Sequence, residues 1–80
     1  MTKIYEADSR LIERLREDLQ DRLNRKNDAV EHDYFWAQDE KTSFATAIAV
    51  ANLAIRHTGF EFGIFHGEIW AFETVQEIRE

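Results

Sequence analysis

The 80-residue sequence has no cysteine, no proline, three glycines and one methionine. The lack of cysteine excludes disulfides, thiolate nucleophiles and cysteine-held metals together. Small secreted domains depend on such staples, so a cytoplasmic protein is expected. With no proline and few glycines there is little material for a flexible linker, and residues 1–80 read as a single compact domain. No stretch approaches the roughly 18 apolar residues of a membrane span, and the opening MTKIYEADSR lacks the apolar segment of a secretory leader. A basic surplus is missing too. Ten Lys and Arg stand against sixteen Asp and Glu, a net charge of −6, which argues against direct contact with nucleic acid and gives no reason to expect a membrane partner.

What is present points to an ordered fold. Hydrophobic residues make up 44% of the chain and aromatics 12%, too many for a disordered segment. A chain this short buries roughly 60% of its unfolded surface, so its stability amounts to a few kcal/mol. The charge is divided unevenly. Residues 1–30 carry seven basic and seven acidic side chains; residues 31–80 carry three (Lys41, Arg56, Arg79) and nine, which accounts for the whole excess. An acidic half of this kind suits a basic protein surface.

Periodicity assigns the elements. In SRLIERLREDLQDRLNRKN, Leu11, Ile12, Leu15, Leu19 and Leu23 form one stripe at 100° per residue, which predicts a helix capped by Asp8 or Ser9 and ended by NRKND. Arg14/Asp18, Asp18/Arg22 and Asp21/Arg25 fall four apart on its wet faces. The aromatic run in HDYFWAQDE predicts a short strand over 33–38. KTSFATAIAVANLAIRHTG then returns to helical period, with Phe44, Ile48, Ala51 and Ile55 on one stripe, Thr42 or Asp39 as cap and Gly59 as stop. Its circumference is so apolar that burial nearly all round is expected. FEFGIF and EIWAFE are two strands joined by His66-Gly67. The expected fold is α+β in the order α-β-α-β-β, a small three-stranded sheet with two helices packed on one face and a right-handed strand–helix–strand unit if strands one and two are parallel.

A two-residue turn sets the register of the hairpin and, with period two, its faces. One face carries Phe60, Phe62, Ile64, Ile69 and Ala71 and should meet the helices. The other mixes Phe65, Trp70 and Phe72 with Glu61 and Glu68, with Gly63 under the Trp70 ring. Unpaired carboxylates are costly in a core, so this second face should lie outside. If Phe35 and Ala37 point at the helices, Tyr34 and Trp36 join it. The surface expected to bind a partner is then Tyr34, Trp36, Glu61, Phe65, Glu68, Trp70 and Phe72. Cover by the N-terminal helix or by the tail TVQEIRE is the competing arrangement.

No catalytic or cofactor motif is present. Glu31, His32, Asp33, His57, His66 and Glu68 lack the spacing of a zinc site, and His66 reads as a turn residue. Ser9 and Ser43 are explained at helix starts. Only Glu61 and Glu68 offer a carboxylate pair for acid–base work. The chain therefore reads as a non-enzymatic, cofactor-free module that binds a protein with a basic surface. Its rings would supply buried area, with Glu61, Glu68 and Asp33 or Asp39 supplying charge. Alternatives are a homodimeric scaffolding protein, using the same aromatic face or the Leu11–Leu23 stripe, and an antitoxin-like regulatory subunit docking through its first helix. In its small size, acidity and lack of catalytic signature the profile resembles that of phage-encoded inhibitors of host defence complexes, the anti-CRISPR and anti-restriction proteins. That resemblance implies a stoichiometric inhibitor.

Overall fold

The structure is a computed structural model that describes residues 6–74. Helix α1 (Glu6–Glu31) and helix α2 (Ala37–Ala54) are followed by a 3-10 turn (Arg56–Thr58) and the strands β1 (Phe60–Phe65) and β2 (Glu68–Glu73). The class is α+β, as the patterning implies. The third strand is absent among the described residues: β1 and β2 form a two-stranded antiparallel sheet, so there is no crossover whose hand could be asked.

Residues 33–38 are not a strand because α1 runs past its expected end and α2 begins before its expected start. α1 continues through NRKND to Glu31 and stops in a Schellman motif. Asp33 takes the left-handed position at φ 52°, its N–H donates to the Val30 carbonyl, and the Tyr34 N–H donates back to the Ala29 carbonyl at 3.0 Å. Aspartate tolerates this conformation better than most residues. α2 begins at Ala37, with Trp36 at the cap position making no side-chain cap bond. Asp39 lies in its first turn, where a carboxylate favours the helix dipole without capping. Ser9 likewise lies inside α1, and Asp8 instead places its carboxylate 3.0 Å from His57 Nε2. Only a short connection remains between the helices. Stacked rings fill it: His32 on Tyr34 with centroids 5.2 Å apart, Tyr34 on Trp36 at 4.4 Å, and Phe35 edge-on to Trp36 at 5.0 Å.

His32 closes α1 with its Nδ1 facing two acceptors, the Asp28 carbonyl at 2.9 Å and the Asp28 carboxylate at 3.1 Å. The bond to the carbonyl, followed by the charge of the carboxylate, raises the His32 pKa above 6.5. A raised folded-state pKa means that the contribution of protonated His32 is complete below the ordinary value and disappears as pH rises through the raised one. NMR titration of the His32 ring is expected to show a midpoint above that of an unstructured histidine. In Asp28→Asn the midpoint should fall part of the way back, because the carbonyl remains. A wild-type midpoint at or below the ordinary value would contradict this geometry.

The core forms where the stripes of both helices meet the inner face of the hairpin. Ile12, Leu19 and Leu23 from α1, Phe44 and Ala51 from α2, Ile55, Phe62 and Ile69 are buried, with Leu11, Leu15, Ala47, Ile48, Phe60 and Ala71 packed around them. The hairpin register is the one that the turn demands: Phe65 opposite Glu68, Ile64 opposite Ile69, Gly63 opposite Trp70, Phe62 opposite Ala71 and Glu61 opposite Phe72. His66 at φ 51° and Gly67 at φ 76° both take the positive φ of a type I′ turn. Gly59, at φ 81°, closes the 3-10 turn rather than α2 itself.

A hairpin has two open edges, and each edge here is held by an amide side chain from a different helix. Asn52 of α2 accepts the Phe62 N–H at 2.6 Å and donates to the Phe62 carbonyl at 3.3 Å. Gln20 of α1 accepts the Ile69 N–H at 2.7 Å and donates to the Gly67 carbonyl at 3.2 Å. Register explains the choice of residues. Phe62 and Ile69 occupy non-hydrogen-bonded positions of the ladder, so their backbone groups point outward. The two amides do for the sheet what neighbouring strands would do.

α2 departs furthest from the sequence expectation. It is not buried nearly all round: Val50 and Leu53 are exposed, Leu53 at 70%, and Ala45, Ala49 and Ala54 are exposed with them. One stripe packs; the opposite face meets solvent.

Candidate functional site: the outer face of the hairpin

Alternation along β1 and β2 sends Glu61, Phe65, Glu68, Trp70 and Phe72 to the side away from the helices. All five are exposed, with Phe65 at 55%, Trp70 at 49% and Phe72 at 42%. Phe72, not Trp70, lies across Gly63: a β-carbon at Gly63 would meet the Phe72 ring at 3.0 Å. The missing side chain lets this ring lie flat on the sheet diagonally from its own position, a reach that aromatic side chains have. At the turn end, Phe65 and His66 pack edge to face at 4.2 Å. On the inner face, Phe62 and Ile69 are sealed, whereas Ile64 near the turn is half exposed.

Tyr34 and Trp36 do not join this surface. They sit in the α1–α2 connection, and α1 meets the hairpin turn at Gln20. The connection begins at His32, twelve residues later, about 18 Å further along the helix axis at 1.5 Å per residue. Phe35 does not point at the helices either. It is 94% exposed, and Ala37 opens α2 instead of extending a strand. Without the strand, alternation no longer sorts residues 33–38 into faces. The expected surface therefore divides into two: the hairpin face, and an aromatic tip formed by Tyr34, Phe35 and Trp36. Asp33 and Asp39 belong to the tip side of the molecule.

The electrostatics of the hairpin face include a residue that sequence spacing could not place there. Arg16, on α1, lines a small depression with Glu68, Ile69 and Trp70. It also holds Glu13 at 2.9 Å, and that bond keeps the Glu13 carboxyl below the usual range. Glu68 thus has a cation nearby, as Glu61 has in Arg56, with which it lines a groove beside α2. Glu61 and Glu68 lie four strand positions apart, about 13 Å at 3.3 Å per residue. The paired carboxylates of glycosidases stand only about 5–9.5 Å apart.

The remaining surface offers two further concavities. A groove of about 500 Å³ runs between the helices on the side away from the hairpin, lined by Leu15, Asp18, Arg22, Thr46, Val50 and Ala54 among others. A smaller one lies between α2 and β1 beside Asn52, Leu53, Arg56 and Glu61. Asp18 and Arg22 pair with each other at 3.0 Å across one turn of α1. No group of three or more His, Asp or Glu side chains among the described residues is placed to hold a metal ion. Among the same residues no helix is long and apolar enough to cross a membrane. The tail from Val75 onward, expected as a possible cover for the hairpin face, lies outside the described residues.

No family model, curated protein or solved structure matches this chain.

Proposed function

We propose that the protein is a non-enzymatic binding module whose hairpin face occupies a basic surface of another protein, in the manner of a stoichiometric inhibitor. The observation that carries this reading is the contrast between the two sides of one hairpin. The inner side spends Phe62 and Ile69 on the core, while the outer side leaves Phe65, Trp70 and Phe72 in solvent beside carboxylates. Ten large hydrophobic residues are exposed among those described, against nine buried hydrophobic residues of which two are alanines. A monomer that serves no partner seldom exposes contiguous aromatic surface, and Trp is enriched at binding hot spots. A basic surface that otherwise holds nucleic acid is the partner chemistry that best fits the acidic half of the chain, as in an anti-CRISPR or anti-restriction type of inhibitor.

Charge should act on encounter and rings on residence. Proteins retained by the immobilised chain are expected to elute with rising salt and to be lost when Glu61 and Glu68 are both changed to Lys. With a captured partner in hand, Glu61→Gln should slow association several-fold at low salt and leave dissociation nearly unchanged. An association rate indifferent to both salt and Glu61 would remove the electrostatic half of the proposal.

A further inference from the structure

α1 and α2 differ sharply in what they show to solvent. The exposed positions of α1 are densely charged, with four intrahelical ion pairs between Arg and Asp or Glu. α2 has no charged residue from Thr42 to its end at Ala54. Its outward positions are Thr42, Ala45, Thr46, Ala49, Val50 and Leu53, all exposed. Such a face does not have the composition of a solvated helix surface.

Charge returns only at the two ends of this face, with opposite signs. Asp39 stands in the first turn of α2, and Arg56 follows just beyond its last. Neither makes an ion pair among the described residues, although Arg56 borders a groove that Glu61 also lines. Within α2, Asp39, Thr42, Thr46, Ala49 and Leu53 recur at alternating spacings of three and four, the spacing by which one helix packs along another; Arg56, in the 3-10 turn beyond the helix, borders the same stripe beside Ala49 and Leu53.

We infer that this face of α2 binds the same face of a second copy, in a two-fold antiparallel helix pair. The sequence of the stripe is complementary to its own reverse. A two-fold axis level with the Ala47–Ile48 peptide sets Asp39 opposite Arg56 of the second copy, Thr42 opposite its Leu53, and Thr46 opposite its Ala49. Each large Leu53 side chain then meets a small residue, and the small residues at the centre let the backbones approach. Both ends close with an ion pair, so two pairs form per dimer. A parallel pair would set Asp39 against Asp39 and Arg56 against Arg56, which like-charge repulsion opposes. The symmetric contact is of the kind most homodimers use. Ala49, Leu53 and Arg56 share a groove with Glu61, so the dimer contact reaches the edge of the hairpin at Glu61. The inference rests on the α2 stripe and not on the proposed hairpin partner.

Sedimentation velocity over a wide concentration range tests it on the full chain. The wild type is expected to be a dimer, and Ala49→Glu a monomer with an unchanged far-UV spectrum. Two carboxylates placed near the axis should weaken association at least about 100-fold. Asp39→Arg alone should weaken the dimer, and Asp39→Arg combined with Arg56→Asp should restore it, a reciprocity that a folding defect does not produce. A wild type that stays monomeric throughout would overturn the inference. So would a dimer that survives Ala49→Glu, or one in which the charge exchange fails to rescue; loss of that dimer in Trp70→Ala would assign it to the hairpin instead.

Discussion

Replacing Gln20 and Asn52 together with alanine is expected to destabilise the protein by about 2–6 kcal/mol, comparable with the whole stability of a chain this size. Each amide satisfies a backbone N–H and a backbone carbonyl at one edge of the hairpin. Loss of one such partner costs about 1–3 kcal/mol when the orphaned group is poorly hydrated. Phe62 and Ile69, whose backbones are held, are also buried core residues, so loosening an edge tilts core side chains as well. Urea denaturation of the single and double variants measures this. The two sites lie on opposite edges of the sheet, so their effects should come close to adding. Gln20→Glu keeps the acceptor for Ile69 N–H and loses the donor to Gly67, and should fall between wild type and Gln20→Ala. A double variant with an unshifted midpoint would mean that packing alone secures the hairpin.

Trp70→Ala should produce the largest functional loss with little change in the fold. Its ring is half exposed on the outer face, opposite Gly63, so truncation forgoes only part of the burial of a core tryptophan. A stability loss of about 1–2 kcal/mol, well short of the roughly 3–5 kcal/mol of a core ring, is therefore expected. At a protein interface the same ring would be fully desolvated. Truncating such an anchor costs about 2 kcal/mol or more, an affinity loss of roughly 30-fold appearing mainly as faster dissociation. Phe72→Ala should behave similarly, because its ring lies on the sheet across Gly63. The two measurements separate the outcomes. Retained fold with lost capture supports the hairpin face as the binding surface. Retained fold with unchanged capture would move the search to the aromatic tip at Tyr34, Phe35 and Trp36. A variant that unfolds would show that the ring serves the core.

The stripes of both helices, the type I′ turn and the register of the hairpin were legible in the sequence because each depends on local period. Ile12, Leu19 and Leu23 recur at helical spacing, and two residues between strands fix every cross-strand pair from Glu61–Phe72 to Phe65–Glu68. The division of that hairpin into a sealed and an open face followed from the same alternation. Residues 33–38 depart from the strand expectation for an equally physical reason. Strand propensity of Tyr34, Phe35 and Trp36 is a weak local preference, whereas helix continuation to Glu31 and a Schellman stop at Asp33 are settled by Ala29 being buried and by the helices lying antiparallel. With the strand gone, Tyr34 and Trp36 left the site, and Arg16 entered it from a helix remote in sequence.

What the tertiary structure alone decided is where the leftover surface lies. Hydropathy gives α2 an apolar circumference but not the number of its neighbours. α1 and one small hairpin can cover only one side of it, so Val50 and Leu53 are left in solvent. The sheet edges are decided in the same way. An edge needs a hydrogen-bonding neighbour from whatever element packs beside it, and Gln20 and Asn52 become those neighbours only once helix and strand are brought together from distant parts of the chain. The sequence by itself determined which residues share a face; packing determined which faces are met by the chain and which are left for another molecule.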